Sequence, residues 1–187
     1  MGVSSALGMA HGMMATVVGP GDWVIDATAG NGYDTAFLAD LVGPGGRVLA
    51  MDIQRDAVAS TMARLAASDW VTVMEGDHGQ LIAALDDAWS GRVQGIMFNL
   101  GYLPGGDKAV QTAAASTIKA LEGCLALLAW GGLITLVCYV GHDGGAAEAE
   151  AVMEWGSKLD QGVYTVAKYK MVNQRNTPPF LIVVEKR

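Results

Sequence analysis

The sequence has little cysteine, and its two cysteines lie outside any pattern that binds a metal. Cys124 and Cys138 fall in a predicted helix and a predicted core strand, and the 187 residues contain no CxxC motif or Cys/His cluster. Zinc sites need such closely spaced thiolate and imidazole ligands. We therefore expect no metal, and we expect reduced thiols in a cytoplasmic protein.

The sequence also lacks a long apolar run and a basic N-terminal segment. The longest apolar region, residues 125–140, is interrupted by Trp130-Gly131-Gly132, which predicts a helix end, a turn and a buried strand. Residues 1–18 contain no Lys or Arg and are interrupted by His11, unlike a secretory signal. The sequence therefore predicts a protein with no membrane partner.

Positive charge is scarce and unevenly distributed. The chain has 12 Lys and Arg against 19 Asp and Glu, a net charge of −7. A negative protein repels phosphate backbones, so we expect no DNA partner. Half of the basic residues nevertheless lie after residue 157, and they predict either an RNA contact surface or a solvated edge strand guarded by lysines. These residues are Lys158, Lys168, Lys170, Arg175, Lys186 and Arg187.

Apolar runs of strand length alternate with helix-forming segments, and 51% of the residues are hydrophobic. Five alternations followed by two strands, at 163–171 and 180–185, predict an α/β fold with a doubly wound, mostly parallel sheet and an antiparallel C-terminal pair. Length and composition predict a single domain over residues 1–187. Within its N-terminal segment, 1–20, helical spacing predicts a helix over 4–17 that packs on the sheet or caps a ligand cleft.

The stretch VIDATAGNGYDT, residues 24–35, predicts a strand, a glycine turn and a helix. An apolar run ends in Asp26, Gly30 and Gly32 follow, and helix-forming sequence resumes at Thr35. Glycines let the backbone approach a ligand closely, and the free N–H groups of a helix start favour an acceptor such as a carboxylate. A glycine pair alone would equally indicate an ordinary tight loop.

Acidic residues around the turn favour a cationic ligand over a phosphate. Asp26 and Asp34 flank the turn, and Asp52 ends the next predicted strand. The phosphate-loop pattern fails because the turn contains no lysine, and the GxGxxG pattern fails because Gly30-Asn31-Gly32 is followed by Tyr33, Asp34 and Thr35, with no third glycine. S-adenosyl-L-methionine, with an ammonium and a sulfonium beside a carboxylate, suits these charges, and Asp52 stands where a ribose diol lies in nucleoside-binding α/β folds.

Polar residues also follow the third predicted strand. Asp77 and His78 come just after its carboxyl end, which in an open parallel sheet borders the ligand crevice. They are therefore predicted to meet an adenine edge. A simple helix N-cap by Asp77 is an alternative, and the two roles are compatible.

The fourth predicted strand, 93–98, is followed by the loop NLGYLPGGDK at 99–108. The loop is close in kind to the NPPY loop of amino-group methyltransferases, in which Asn accepts a hydrogen bond from an amine and an aromatic residue stacks on the base. Such acceptors hold the amine in line with the methyl group while its lone pair stays free. Asn99 and Tyr102 are the matching residues here, whereas His11, a lone histidine on the first helix, is predicted to be a packing residue.

Six ordered motifs resemble those of the YtqB/MnmM-like class I methyltransferases, long labelled rRNA methylases, over essentially the whole chain. The motifs are DATAGNGYDT at 26–35, MDIQ at 51–54, GDHGQL at 76–81, FNLGYLPGGDK at 98–108, YVGHDGGAAE at 139–148 and NQRNTPPFLIVVEK at 173–186.

The resemblance implies a seven-stranded Rossmann-like methyltransferase fold, S-adenosyl-L-methionine as donor, S-adenosyl-L-homocysteine as product, no metal, and a homodimer. Characterised members of the family methylate the aminomethyl nitrogen of 5-aminomethyl-2-thiouridine at the tRNA wobble position. The implied substrate is therefore a tRNA.

Matched by motif, the resemblance also implies roles for individual residues. Asn31 and Asp34 would hold the methionine part of the cofactor, Asp52 and Gln54 its ribose and adenosine, and Asp77 with His78 its adenine. The complete implied cofactor set is Asp26, Gly30, Asn31, Gly32, Asp34, Thr35, Asp52, Gln54, Asp77 and His78. The implied catalytic residues are Asn99, Tyr102 and His142, and the implied substrate-binding residues are Leu103, Pro104, Asp107, Lys108, Gln174 and Asn176.

The main hypothesis is thus a tRNA wobble-uridine N-methyltransferase that depends on S-adenosyl-L-methionine. Methylation of rRNA or of a small-molecule amine is an alternative, which the acidity of the chain favours. A noncatalytic adenosine-binding or dimerisation module is an alternative of another class. The NLGYLP loop argues against that module, because a binder has no need of amine acceptors.

Overall fold

The computed structural model describes residues 2–83, 85–101 and 112–187 of the chain. This part contains seven strands, six α-helices and a short 3-10 helix at Asp87–Trp89. The strands are β1 Trp23–Asp26, β2 Arg47–Asp52, β3 Val71–Glu75, β4 Val93–Leu100, β5 Leu128–Cys138, β6 Tyr164–Tyr169 and β7 Phe180–Lys186. The helices are α1 Ala6–Val17, α2 Tyr33–Val42, α3 Arg55–Arg64, α4 His78–Ala83, α5 Ala114–Leu127 and α6 Gly145–Ser157.

The strands form one sheet in the order β3-β2-β1-β4-β5-β7-β6. Strands β1 to β5 run parallel, and β7 runs antiparallel to both of its neighbours, β5 and β6. Parallel neighbours require long crossover connections, and a helix lies in each connection between the parallel strands. The predicted α/β class and the antiparallel C-terminal strand are confirmed.

Both faces of the sheet are covered by helices. Val24 and Met97 belong to an apolar core shared with α1 and α2, whereas their chain neighbours Ile25 and Phe98 belong to a second core shared with α5 and α6. Successive side chains of a strand point to opposite faces, so strands buried on both faces consist of continuous apolar runs. The predicted doubly wound arrangement is therefore confirmed.

The start of β5 differs from the sequence-based expectation. Trp130-Gly131-Gly132 was expected to form a turn before the strand, but β5 begins at Leu128 and includes all three residues. Gly131 has a φ of 76°, and the pairing with β4 shifts there, so that Val93 pairs with Leu128 and Gly95 with Leu133. The glycines thus make an irregularity within the strand.

Two smaller differences affect the site. Asn99 was expected to follow β4, but the strand continues to Leu100, so Asn99 lies within it. The helix α4 was indicated only by the alternative role of Asp77 as a helix N-cap, because its six residues are too few for a helical period to be visible. Among the described residues, no helix is long and apolar enough to cross a membrane.

Gly32 sets the geometry of the turn between β1 and α2. It occupies the N-cap position of α2 with φ 77° and ψ 17°, in the left-handed region. A Cβ at this position would lie 2.9 Å from the Cα of Thr61, a backbone atom of α3. Both the backbone conformation and the close packing of α3 therefore require glycine.

We expect Gly32→Ala to lower the free energy of unfolding by at least about 1–2 kcal/mol, the cost of a left-handed conformation for a residue with a Cβ. Gly19→Ala is the matched control, since a Cβ at Gly19 meets no atom within 4 Å. Urea unfolding of the two variants and the wild type measures the difference. Equal stability of the two variants would contradict the requirement for glycine at position 32.

Candidate active site

A crevice opens at the carboxyl ends of β1 and β4. The strand order reverses at this point, because β2 and β3 lie on one side of β1 and β4 and β5 lie on the other. Loops leave such a switch point in opposite directions, and ligands of open α/β sheets bind there. Asp34, the second residue of α2, and Asn99, near the end of β4, meet across this crevice.

The carboxylate of Asp34 is the centre of the hydrogen bonds in the crevice. Asp34 is only 7% exposed. Its Oδ1 lies 2.7 Å from Nε2 of His11, and its Oδ2 accepts a 2.5 Å hydrogen bond from Nδ2 of Asn99. A carboxylate can only accept, so Nε2 of His11 carries the proton of the first bond. Asp34 therefore connects α1, α2 and β4.

The hydrogen bond to Asp34 fixes the orientation of the Asn99 amide. Because the amide nitrogen must face the carboxylate, Oδ1 of Asn99 faces the other way. The backbone N–H of Asn99 also donates to Oγ1 of Thr28, at 2.7 Å. Oδ1 is buried and has no hydrogen-bond partner in the described part of the chain. A buried acceptor without a donor is uncommon in proteins, and it offers a hydrogen-bonding site to a bound ligand.

Asp26 supports the glycine turn from beneath. It has no exposed surface, and its carboxylate accepts hydrogen bonds from Oγ1 of Thr35 at 2.6 Å and from the backbone N–H of Thr28 at 3.2 Å. Burial first, and then the negative charge of Asp34, raises the pKa of Asp26 to about 7. Asp26 and Thr35 thus form hydrogen bonds within the protein. Their contact with a cofactor stays a prediction.

Asp52 holds the turn from the end of β2. Its Oδ2 accepts from the backbone N–H of Gly30 at 2.9 Å, and its Oδ1 accepts from the backbone N–H of Gln54 at 2.9 Å. Two backbone donors thus fix a half-buried carboxylate at the edge of the crevice. Each oxygen keeps a second lone pair, so the predicted ribose contact is compatible with this geometry.

Helix α3 fixes the other side of the turn. The hydroxyl of Thr61 donates to the carbonyl oxygen of Gly30 at 3.1 Å, and Nε of Arg64 donates to the carbonyl oxygen of Asn31 at 2.8 Å. The guanidinium of Arg64 also lies 3.9 Å from the centre of the Tyr33 ring. These contacts from α3 restrain the turn that Gly30 and Asn31 form.

Asp77 caps α4, which is the alternative role that the sequence left open. Its Oδ1 accepts from the backbone N–H of Gln80 at 3.2 Å, and the hydroxyl of Ser116 donates to Oδ2. Burial alone would raise the pKa of Asp77, but the Ser116 bond, the charge of His78 and the backbone N–H groups together lower it. Its contact with adenine stays a prediction.

His78 lies inside the protein, beside a buried network that begins at Thr117. Its ring is edge-on to Phe98 at 5.7 Å between centroids, and its Nε2 lies 3.4 Å from Oγ1 of Thr117. Thr117 in turn donates to the buried carboxylate of Glu148 at 2.6 Å. Burial lowers the pKa of His78, against the opposing charges of Asp77 and Glu148. Contact of His78 with adenine stays a prediction.

His142 and Tyr139 follow β5 at the same edge of the sheet. A Cβ on Gly145 would lie 2.6 Å from Nε2 of His142, and one on Gly101 would lie 3.7 Å from it, so the imidazole lies close to both backbones. Burial, and then the charge of Asp34, raises the pKa of Tyr139. Tyr139 is thus a further residue of the crevice that the motifs did not assign, although its place after a core strand points to this edge.

Other sequence-predicted residues take no part in these hydrogen bonds, and their contact with a substrate stays a prediction. Gln174 and Asn176 are exposed between β6 and β7, and neither forms a hydrogen bond with another described residue. Within the three described segments, no three His, Cys, Asp or Glu side chains are grouped so that they could hold a metal. The predicted residues Tyr102, Leu103, Pro104, Asp107 and Lys108 lie outside the described residues.

Residues 48–185 match the model of a protein family described as "Putative rRNA methylase". The chain belongs to this methylase family. A solved structure described as a putative rRNA-methylase from Clostridium thermocellum is 42% identical, with a TM-score of 0.94 over 100% of both chains. A putative methyltransferase from Streptococcus mutans, solved in complex with SAH, is 32% identical, with a TM-score of 0.88 over 100% of both chains.

A curated relative covers the methylase chain from end to end. The chloroplastic tRNA (mnm(5)s(2)U34)-methyltransferase of Arabidopsis thaliana is 39% identical over 197 residues, which cover 100% of this chain and 71% of the relative. Together with the solved structures, this match confirms the recognised family and the Rossmann-like class I methyltransferase fold.

We expect Asp26→Asn to remove a pH dependence from the stability of the methylase. The pKa of Asp26 rises from an ordinary 3.8 to about 7 on folding, so the folded protein retains a proton that the unfolded chain releases. This stabilisation is complete below the lower value and is lost as the pH rises through the higher one. The wild type should therefore lose stability relative to the variant by up to about 1.4 kcal/mol per pH unit over this range.

Urea unfolding of the wild type and Asp26→Asn at about pH 5 and about pH 8 measures this difference. Other titrating groups are common to the two proteins and cancel in the comparison. A constant difference in stability between the two pH values would mean that Asp26 titrates normally in the folded protein.

Proposed function

We propose that this protein uses S-adenosyl-L-methionine to N-methylate the 5-aminomethyl group of 5-aminomethyl-2-thiouridine at the tRNA wobble position. The observation that carries the proposal is the buried Oδ1 of Asn99, an uncharged acceptor without a donor at the switch point of the sheet. The printed activity of the Arabidopsis relative, which matches the whole chain, supports the choice of substrate.

The residues around the glycine turn fit the proposed cofactor. Asp52 is fixed by two backbone N–H groups and can accept from a ribose diol, with Gln54 beside it. Asp34 and Asn31 are proposed for the methionine part, where Asp34 can accept from an ammonium through its remaining lone pairs. When bound, the cofactor supplies an electrophilic methyl group on a sulfonium. The SAH complex of the Streptococcus mutans relative supports this assignment.

The chemistry of the acceptor amine explains why Asn is the suitable residue at position 99. A free alkylamine is mostly protonated at neutral pH, and the ammonium form has no lone pair with which to attack a methyl group. Asn99 accepts a hydrogen bond from the neutral amine without adding a charge that favours the ammonium, whereas an Asp there would stabilise the cation. Tyr102 and His142 are proposed to complete the amine site.

A groove at the same edge of the sheet offers a surface for the RNA around the target nucleotide. Its volume is about 330 Å³, and Lys168, Lys170, Val140 and Phe180 are among its lining residues. Strand β6 runs parallel to β5, so Lys170 follows β6 at the carboxyl edge where the crevice opens. Neither lysine forms an ion pair with another described residue. Nζ of Lys168 contacts Sδ of Met153 at 3.1 Å and lies 4.2 Å from the centre of the Phe180 ring, neither of which neutralises its charge. Both cations can therefore attract phosphates in a chain that is acidic overall.

Methylation of an rRNA amine is the second candidate, because the family description names rRNA. The matching rRNA small subunit methyltransferase H of Ralstonia nicotianae is 35% identical over 77 residues, only 41% of this chain and 24% of the relative. The full-length tRNA relative therefore favours tRNA. From the family resemblance we also propose a cytoplasmic homodimer that needs no metal, with Leu103, Pro104, Asp107, Lys108, Gln174 and Asn176 around the substrate.

We expect Asn99→Ala and Asn99→Asp to bind S-adenosyl-L-methionine normally but to lose methyl transfer by about 100-fold or more, as misplacement of a reacting group does. Single-turnover transfer to tRNA that carries 5-aminomethyl-2-thiouridine measures the rate, and calorimetry measures cofactor binding. The wild-type rate should rise with pH until the amine is deprotonated. Gln94→Ala, at the opposite end of the same strand, is the control and should transfer normally.

Near-normal transfer by Asn99→Ala would remove Asn99 from the mechanism and shift attention to Tyr102 and His142. Methyl transfer by the wild type to rRNA, with none to this tRNA, would instead favour the second candidate.

We expect the combined variant Lys168→Ala, Lys170→Ala, Arg175→Ala to bind tRNA more weakly and with a flatter salt dependence. Each lost phosphate contact lowers the slope of log K against log salt by about 1. Lys158→Ala is the control, because Lys158 follows the C-terminal end of α6, at the opposite edge of the sheet, and pairs with Glu154. An unchanged slope in the combined variant would mean that these cations face solvent at the edge of the sheet and do not contact phosphates.

A further inference from the structure

The first helix of the chain contributes a histidine to the crevice. Nε2 of His11 lies 2.7 Å from Oδ1 of Asp34, and the other oxygen of this carboxylate holds the amide of Asn99. His11 is thus two hydrogen bonds away from the unpartnered Oδ1 of Asn99. No motif of the sequence includes His11.

The position of His11 is fixed by contacts on several sides. Its ring stacks on Phe37 of α2, with centroids 4.1 Å apart and planes inclined by 10°. Helix α1 is anchored to the sheet through the fully buried Ala10 and Met14. The segment before α1 is tied to β6, because the hydroxyl of Tyr169 donates to the carbonyl oxygen of Ser4 at 2.8 Å. A histidine held in this way can set the position of the carboxylate that it contacts.

We propose that His11 is a positioning residue for methyl transfer: it holds the Asp34 carboxylate so that Asp34 orients the Asn99 amide with Oδ1 toward the acceptor amine. The proposal rests on the proposed function. Without the bond from His11, the Asp34 carboxylate keeps only the Asn99 amide as a side-chain donor, so it is held less firmly and the amide of Asn99 has a less fixed partner. The amine acceptor would then point toward the substrate only part of the time.

The same contact limits the negative charge that the acceptor amine meets. A carboxylate near an amine favours the ammonium form, which cannot attack a methyl group. The titratable groups that face Asp34 are His11 from α1, Asp26 from β1 and Tyr139 from the end of β5. Of these, only His11 donates a hydrogen bond to the Asp34 carboxylate in the described structure. Removing His11 therefore leaves that charge less compensated.

The test compares His11→Ala and His11→Gln with the wild type in single-turnover methyl transfer to tRNA carrying 5-aminomethyl-2-thiouridine. We expect His11→Ala to transfer about 10- to 100-fold more slowly, with its pH–rate profile displaced to higher pH. We expect His11→Gln, which keeps an N–H donor, to recover most of the rate. Cofactor affinity is measured by calorimetry in each variant, and transfer is compared at saturating cofactor, so that weaker cofactor binding through Asp34 is separated from the loss of transfer.

Three outcomes would overturn the proposal: a normal rate in His11→Ala, an unshifted pH profile, or an equal loss in His11→Gln at unchanged melting temperature. If His11→Ala does not fold, His11→Gln and His11→Asn are compared instead. Only Gln places its N–H donor as far from the backbone as Nε2 of His11, so only His11→Gln should keep most of the transfer rate. A wild type that is inactive on this tRNA would contradict the proposed function instead. A neutron crystal structure of each variant, which shows the hydrogens of the Asn99 amide, would then test the positioning alone.

Discussion

A carboxylate buried in the crevice must have a hydrogen-bond donor at each oxygen, and Asp34 meets this constraint with His11 and Asn99. The constraint joins three elements that are distant in sequence, α1, α2 and β4. It also decides which atom of the Asn99 amide is left for a ligand, because a carboxylate accepts only from the amide nitrogen. The unpartnered Oδ1, from which the proposed chemistry follows, is therefore a consequence of the position of Asp34.

The crevice contains three carboxylates, and the fold stabilises each of them differently. Asp26 is fully buried and is favoured in its protonated form, with a pKa of about 7. Asp34 receives two side-chain donors, and Asp52 receives two backbone donors from the glycine turn and the start of α3. The site can therefore hold negative charge near the proposed cationic cofactor, while Asn99, the group proposed to face the acceptor amine, is uncharged. Such a division suits transfer from a sulfonium to a neutral amine.

Much of this arrangement could be predicted from the sequence, because strand alternation places Asp26, Asp52 and Asn99 at one edge of a parallel sheet. The bond between His11 and Asp34 could not, since the residues are 23 positions apart and the apolar helix gives no sign of which side faces the crevice. The early start of β5 was not predicted, because a glycine such as Gly131 indicates a turn in sequence alone. Only the pairing with the neighbouring strand shows that it lies within β5. Gln174 and Asn176 were predicted to bind substrate from a family motif alone, and no spacing of residues in the sequence indicates where they lie in the fold.

The central claim is that Oδ1 of Asn99 binds the acceptor amine while Asp34 holds the amide nitrogen. A crystal structure with S-adenosyl-L-homocysteine and an anticodon stem-loop that carries 5-aminomethyl-2-thiouridine would test it most directly. The account predicts the amine nitrogen at about 2.7–3.2 Å from Oδ1 of Asn99, with Asp34 still bonded to both His11 and Asn99. An amine bound elsewhere, or an Asn99 amide that turns its nitrogen toward the substrate, would contradict it.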